Sequence, residues 1–156
     1  MKLKSIIISA FAFCVFIVLA SMGSQKPITK TKANSDQVEI RNDTVTTKTG
    51  LRYVITQRNP QGIMAVKGDR VEAHYTGTLL NGKKFDSSRD RDQTFSFTLG
   101  QGEVIAGWDE GFGILRKGEK AVLIIPSYLA YGEKGVQGAI GPNEPLVFEV
   151  QLVDFQ

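Results

Sequence analysis

Cysteine and histidine, the side chains on which most covalent catalysis and zinc binding depend, are almost absent from this sequence. Its 156 residues include one cysteine, Cys14, and one histidine, His74. A single cysteine excludes an intramolecular disulfide framework and a cysteine-rich zinc site. Spacing supports no Ser-His-Asp set around His74, and Cys14 lies in an N-terminal leader, which excludes a Cys–His nucleophile in the mature chain. We therefore expect no metal and no cofactor.

A large excess of charge of one sign is also missing, since the formal net charge is +3. Residues 1–23 hold two lysines and no acidic side chain, which leaves 17 basic and 16 acidic side chains in the rest of the chain. A phosphate-binding surface needs clustered lysine and arginine, whereas here the two signs are interspersed. We therefore expect no nucleic-acid partner.

The first segment has the pattern of an export signal. Lys2 and Lys4 precede an uncharged and mostly apolar run, residues 5–20. A basic start before a short apolar run is typical of a secretory signal, and about sixteen residues is short for a membrane span. Counted from residue 6 to residue 23, the run is just long enough for an uncleaved helix that crosses the membrane. Residues 1–23 are therefore predicted to be a signal peptide or an N-terminal membrane anchor.

Both alternatives place the rest of the chain outside the cytoplasm, in a periplasm or secreted, with membrane contact only through this segment. Lipidation of Cys14 is disfavoured, because a lipoprotein cysteine follows a small residue at the end of the run and Phe13 precedes Cys14. Residues 24–47 are rich in lysine, threonine, serine, asparagine, aspartate and glutamine without a sustained apolar period. They are predicted to be a flexible polar tether, and residues 48–156 a folded domain.

In that domain apolar and polar residues alternate with the period of a β-strand. Asn81-Gly82 predicts a two-residue type I′ hairpin turn. Only residues 105–115 resemble a helix, and because they include three glycines, the helix must be stabilised by packing Trp108, Phe112 and Leu115 onto a sheet. The prediction is an α+β fold: a curved antiparallel sheet of about five strands, a half-barrel, wrapped on one short helix. The predicted strands cover residues 51–56, 70–80, 95–99, 120–125 and 146–155, and the chain is expected to return from the hairpin turn through residues 83–86.

The domain has more aromatic residues than its core requires, and several of them lie beside two loops, residues 85–91 and 132–145. The first loop is too densely charged to be buried, and the second has four glycines and two prolines. A loop of that length between apolar strands is often functional. An aromatic-floored cleft with such a rim suits an apolar ligand that offers few hydrogen bonds.

Four blocks of sequence, in the same order, resemble the signature of the FKBP-type peptidyl-prolyl cis-trans isomerases. They are HYTGTLLNGKKFDSS (74–88), EVIAGW (103–108), IPSYLAYG (125–132), and Pro142 followed by LVFEV (146–150). The resemblance covers residues 48–156 and says nothing about residues 1–47. It implies a pocket for a proline ring between the sheet and the helix.

The resemblance also implies roles for individual residues. Trp108 would be the floor of the pocket. Tyr131 would donate its hydroxyl to one substrate carbonyl and the Ile105 amide would bind a second. Asp86, Phe85 and Tyr131 would surround the rotating bond as the catalytic set, and Arg91 would pair with Asp86 or Tyr75. The substrate-binding set is Tyr75, Arg91, Phe95, Val104, Ile105, Trp108, Ile140 and Phe148.

The predicted function is acceleration of X-Pro rotation in exported proteins by non-covalent stabilisation of the twisted amide. Proline-containing polypeptides are the expected partners, with macrolides as a further ligand class. The alternative is a slow or non-catalytic module that binds proline peptides. It is motivated by Val136, Ala139 and Gly141 in the 132–145 loop, where the family more often has a histidine or aromatic, a larger aliphatic and a proline.

Overall fold

One antiparallel sheet of seven strands and one α-helix account for the regular structure of residues 43–156, the part of the chain described by a computed structural model. The strands follow the order β1-β2-β6-β7-β3-β4, and β5 pairs with the other end of β3. The α+β prediction is confirmed, with seven strands where about five were expected. The elements are β1 (Val45–Thr46), β2 (Arg52–Gln57), β3 (Arg70–Leu79), β4 (Lys84–Ser87), β5 (Phe95–Thr98), α1 (Ala106–Phe112), β6 (Lys120–Ile125) and β7 (Leu146–Phe155), with 3₁₀ turns at Arg89–Arg91, Ser127–Leu129 and Gly132–Lys134.

The two longest strands, β3 and β7, form the centre of the sheet and the base of the core. Every second residue of β3 from Val71 to Leu79 is buried, which is the pattern of a strand with one face on a core. The pairing sets Tyr75 opposite Val150 and Leu79 opposite Leu146, so the apolar faces of both strands point the same way. The alternation predicted for these strands is confirmed, and their apolar residues form the inner face.

The helix α1 is shorter than predicted and lies against β6. Ile105 is its N-cap and Gly113 its C-cap, so residues 113–115 of the predicted helix lie beyond it. Two of its glycines face the sheet: a Cβ on Gly107 would lie 2.5 Å from Ile125 Cγ2, and one on Gly111 would lie 2.6 Å from Leu123 Cδ1. The glycines therefore let the helix backbone approach β6 closely.

Gly111→Ala is expected to lower the free energy of unfolding by about 1–3 kcal/mol, although alanine is the better helix former. The new methyl group overlaps the Leu123 side chain, and because that side chain is fully buried, it can move only if the core around it repacks. Gly113→Ala is the matched control, because its nearest neighbours lie at 3.3 Å or more and its φ is −66°. Denaturant unfolding of both variants is the measurement, and equal stabilities would contradict the close-approach explanation.

The turn between β3 and β4 differs from the prediction. A type I′ turn needs positive φ at both Asn81 and Gly82, but of these two only Gly82 has it, at 83°. The Leu79 amide donates to Lys83 O at 3.0 Å, and Leu79 O accepts from the Gly82 amide at 2.9 Å. The loop therefore has three residues. Asn81 contributes through its side chain instead, since its Oδ1 accepts from the Lys83 amide at 2.9 Å.

The predicted tether ends too late in the sequence. Val45 and Thr46 pair with Tyr53 and Arg52 of β2, so the folded domain begins before residue 48. The predicted signal or anchor and most of the tether, residues 1–42, lie outside the described residues. Within residues 43–156 there is no helix long and apolar enough to cross a membrane.

Candidate active site

A cavity of about 450 Å³ opens between the inner face of the sheet and the beginning of α1. Its walls come from β3, β4, β5 and β7, from the residues just before α1, and from the segment after β6. Nine of the eleven predicted site residues line it, and Arg91 and Ile140 do not. The lining residues are Tyr75, Phe85, Asp86, Phe95, Glu103, Val104, Ile105, Trp108, Tyr131 and Phe148.

Trp108 forms the aromatic base of this cavity. Its side chain is 5% exposed. Tyr75 and Phe148 meet the indole at centroid distances of 4.9 and 5.2 Å, with their rings at 72° and 81° to it. Phe95 and Phe112 contact it at 5.9 and 5.3 Å. Edge-to-face contacts of this kind each contribute about 0.5–1.5 kcal/mol beyond burial. The indole is therefore held in one orientation.

A charged network occupies one side of the cavity, with Asp86 at its centre. Arg91 Nη1 donates to Asp86 Oδ1 at 2.7 Å, and the Ser87 amide donates to the same oxygen at 2.8 Å. The Tyr75 hydroxyl donates to Asp86 Oδ2, and Arg91 Nη2 donates to that hydroxyl at 3.0 Å. Arg91 therefore acts behind the lining residues and holds both Asp86 and Tyr75, as predicted from the resemblance.

This network fixes the protonation states of its members. Partial burial by itself would raise the pKa of Asp86, but the hydrogen bonds from Arg91 and Tyr75 outweigh it and hold that pKa below its usual value. Burial, followed by the hydrogen bond to Asp86, raises the pKa of Tyr75. At neutral pH the site therefore contains an Asp86 carboxylate and a protonated Tyr75.

Two buried serines fasten the end of β4 to β3 beside Tyr75. Ser88 Oγ accepts from the Tyr75 amide at 2.9 Å, and Ser87 Oγ donates to Tyr75 O at 3.1 Å. His74 Nδ1 lies 3.1 Å from Ser88 Oγ. Because Ser88 is fully buried and bonded to the backbone, its hydroxyl is not an accessible nucleophile. Nothing in the sequence pattern separated these two serines from ordinary loop residues.

A bulge in β4 places Phe85 in the wall of the cavity. Lys84 and Asp86 face successive residues of β3, so Phe85 between them is the extra residue. Its ring meets Phe148 edge to face at 5.6 Å. The two rings meet over Gly77, where a Cβ would lie 2.6 Å from Phe85 and 2.7 Å from Phe148. Gly77 is thus needed for space in the cavity wall.

Two hydrogen-bond donors at the cavity remain available to a ligand. The Tyr131 side chain is 41% exposed. Its hydroxyl has no partner among residues 43–156, and burial, together with the charge of Asp86, raises its pKa, so it stays protonated. Ile105 is the N-cap of α1. Its amide is one of the N–H groups that a helix leaves without an internal acceptor.

Glu103 lines the cavity but is not among the predicted site residues. Its carboxylate accepts from the Thr98 amide at 2.9 Å. Asp109 accepts from the amides of Gly100 and Gly102 at 2.9 and 3.1 Å. The two acids together fix the loop that carries Val104 and Ile105. Acidic residues are common just before helices, so the position of Glu103 in the sequence does not identify it as a site residue.

Ile140 was predicted to bind substrate but lies elsewhere. It is 6% exposed and belongs to the core cluster. The cause is the short ladder between Val136 and Ile140, with amide–carbonyl distances of 2.8 and 2.9 Å, which folds the 132–145 loop back on itself. Gly135 permits this fold, since a Cβ there would lie 2.4 Å from Ile140 O. Val136, Ala139 and Gly141 do not line the cavity.

Taken together, the cavity offers an apolar aromatic base, two free donors and two carboxylates, of which Asp86 is paired with Arg91 and Glu103 accepts from the Thr98 amide. Within the described chain no three His, Cys, Asp or Glu side chains come together in a metal-binding group. Such a site can bind and orient a small apolar ring and the carbonyl groups beside it.

The comparisons with known proteins agree with this chemistry. The sequence model of the FKBP-type peptidyl-prolyl cis-trans isomerases matches residues 62–153, a segment that includes all eleven predicted site residues. The chain is 54% identical over 92 residues to an FK506-binding protein of Neisseria meningitidis serogroup A, which covers 59% of this chain and 84% of that one. It is 55% identical over 86 residues to the peptidyl-prolyl cis-trans isomerase Fkbp12 of Drosophila melanogaster, covering 55% and 80%.

A solved structure shares the fold. FkpA from Escherichia coli matches with a TM-score of 0.69 and 42% identity, over 75% of this chain and 53% of FkpA. The chain therefore spans about half the length of FkpA, and the likeness concerns that half.

Proposed function

The chain belongs to the FKBP-type peptidyl-prolyl cis-trans isomerase family, and on that basis we propose how its cavity accelerates rotation about X-Pro bonds. The barrier to rotation is about 18–20 kcal/mol, because amide resonance is lost in the twisted state. No bond has to form or break, which accords with a site that lacks an accessible nucleophile. Catalysis then requires only that the twisted amide bind more tightly than either planar form.

The observation that carries the proposal is the fixed Trp108 base with free donors at its rim. The prolyl ring sits on the indole, and the apolar surroundings favour the twisted amide, in which less charge separation remains. The Tyr131 hydroxyl and the Ile105 amide each hold a flanking carbonyl while one side of the bond rotates. Phe85 and Asp86 line the space through which the rotating carbonyl passes. Removing about 5 kcal/mol from the barrier would accelerate rotation several thousand-fold.

Tyr131→Phe is expected to lower kcat/KM for a proline tetrapeptide by about fivefold to thirtyfold with unchanged stability, since one hydrogen bond to substrate is lost and none within the described protein. Tyr128→Phe is the control, because the Tyr128 side chain is 69% exposed and its hydroxyl donates to Thr49 O at 3.0 Å, away from the cavity. A protease-coupled assay measures both. Equal rates in the two variants would remove Tyr131 from the mechanism.

The same assay separates turnover from simple binding. The alternative function, a module that binds without turnover, depends on the unusual residues Val136, Ala139 and Gly141 in the 132–145 loop. None of these three residues lines the cavity, and this favours turnover. A wild-type protein that binds proline peptides and fails to accelerate their isomerisation would support the binding module.

We further propose that the cavity binds macrolides. The Neisseria relative is named as an FK506-binding protein, and the aromatic base that takes a prolyl ring would take an apolar ring of similar size. Trp108 is the only tryptophan of the chain, so its fluorescence reports occupancy directly. A titration with FK506 that leaves this emission unchanged would exclude macrolide binding at the cavity.

Residues 1–23 motivate a proposal about location. We propose that they export the domain from the cytoplasm, as a cleaved signal or as an anchor followed by the polar tether, and that the clients are exported proteins. Uncatalysed X-Pro isomerisation takes tens of seconds or longer, which delays such folding. Mass spectrometry of the N-terminus, with cell fractionation, distinguishes a cleaved from an anchored form. An intact protein recovered from the cytoplasm would overturn the proposal.

A further inference from the structure

Phe95 is a partly exposed wall of the cavity that lies on an edge strand. Its strand β5 has four residues and pairs on one side only, with residues 70–73 of β3. Its ring is 39% exposed. It contacts Tyr75 at 6.1 Å and Trp108 at 5.9 Å, both edge to face, and stacks on Phe97 at 6.1 Å. Burial alone therefore does not fix this side chain at the mouth of the pocket.

On the opposite face of the sheet, Glu72 accepts hydrogen bonds from the side-chain hydroxyls of the two residues that flank Phe95. Its Oε2 accepts from Thr94 Oγ1 at 2.7 Å, and its Oε1 accepts from Ser96 Oγ. In the β3–β5 register, Glu72 faces Ser96 and Ala73 faces Phe95. The hydroxyl bonds from Ser96 and then Thr94 hold the pKa of Glu72 below its usual value, so both oxygens are acceptors at neutral pH.

We propose that Glu72 is a positioning residue for substrate binding, which fixes the Phe95 wall through the hydroxyls of Thr94 and Ser96. The proposal rests on the proposed function of the cavity. Glu72 cannot touch the substrate, because alternate residues of a strand point to opposite faces and its neighbour Ala73 occupies the inner one. It acts only by restricting the edge strand that carries Phe95.

The test uses the full chain and a proline tetrapeptide. Glu72→Ala is expected to raise KM about threefold to tenfold and to change kcat by less than about twofold, because a wall contacts the prolyl ring equally in planar and twisted states. Glu72→Gln is expected to restore most of the affinity, since its amide can accept one hydroxyl and donate to the other. Glu149→Ala is the control: Glu149 is an exposed carboxylate on β7, and its substitution is expected to leave KM unchanged.

A double-mutant cycle separates positioning from a general loss of stability. Thr94→Val with Ser96→Ala removes the two hydroxyls and is expected to raise KM as much as Glu72→Ala does. Adding Glu72→Ala to that pair is then expected to change KM by less than about twofold. An unchanged KM in Glu72→Ala, or effects that multiply in the combined variant, would overturn the proposal. The proposal can be tested even if Glu72→Ala folds poorly, because the variant with Thr94→Val and Ser96→Ala gives its own value of KM.

These results are distinguishable from a failure of the proposed function. If only the Glu72 proposal is wrong, the wild-type protein still isomerises the peptide and Tyr131→Phe still slows it. If the proposed function is wrong, the wild-type protein is inactive, and peptide affinity from Trp108 fluorescence still tests whether Glu72 fixes the wall.

Discussion

Trp108→Ala is expected to abolish measurable binding of proline peptides and to lower the free energy of unfolding by about 3–5 kcal/mol. The indole is the base of the cavity and the common neighbour of five aromatic rings, so its removal leaves a void that the sheet and helix cannot close. Denaturant unfolding measures the loss of stability. Calorimetric titration with peptide, at a temperature where the variant is folded, measures binding.

Phe112→Leu provides the matched control for this effect. Phe112 is fully buried and lies 5.3 Å from Trp108, but it does not line the cavity. Its substitution is expected to cost about 1–1.5 kcal/mol of stability and to leave peptide affinity unchanged. Trp108→Leu keeps apolar bulk, so we expect it to be more stable than Trp108→Ala. We also expect it to retain weak affinity for the proline peptide. A folded Trp108→Ala protein with normal affinity would show that the prolyl ring sits elsewhere.

Asp86→Asn is expected to lower kcat/KM by about tenfold to a hundredfold. Asparagine has the same size but no charge, so Arg91 loses its ion pair and the Tyr75 hydroxyl loses its strong acceptor. Both side chains then leave the positions from which they shape the cavity. Asp90→Asn is the control, since Asp90 forms an exposed ion pair with Lys84 at 2.6 Å in the same loop and does not line the cavity. Equal activity of the two variants would exclude a role for Asp86.

The lowered pKa of Asp86 also gives this prediction a pH dependence. The folded pKa lies below the unfolded value of about 3.9, so between the two the unfolded state binds more protons and stability rises with pH. The contribution of Asp86 is therefore fully present above about pH 5 and is lost as pH falls through the folded pKa. Other carboxylates, such as Glu72 and Asp154, also have lowered pKa values and give the same pH dependence. The relevant measurement is therefore the difference in the free energy of unfolding between wild type and Asp86→Asn. We expect that difference to be constant from neutral pH to about pH 5 and to shrink in acid.

The sequence by itself determined the inner faces of the long strands and the family. A strand repeats every two residues whatever its partners are, so the alternation from Val71 to Leu79 and from Leu146 to Leu152 shows which side chains meet in the core. The four sequence blocks located Trp108, Asp86 and Tyr131, and the scarcity of cysteine and histidine excluded a disulfide framework, a cysteine-rich zinc site and a Cys–His nucleophile.

Tertiary structure alone decided how the site is held together. Pairing between strands produces the bulge at Phe85 and brings Glu72 to the hydroxyls of Thr94 and Ser96. A loop that closes on itself turns Ile140 into the core. A two-residue period carries no information about register, bulges or loop closure. In the sequence Glu72 is therefore one more polar residue on the outer face of a strand. Only the fold brings its carboxylate to the hydroxyls of Thr94 and Ser96 behind the pocket wall.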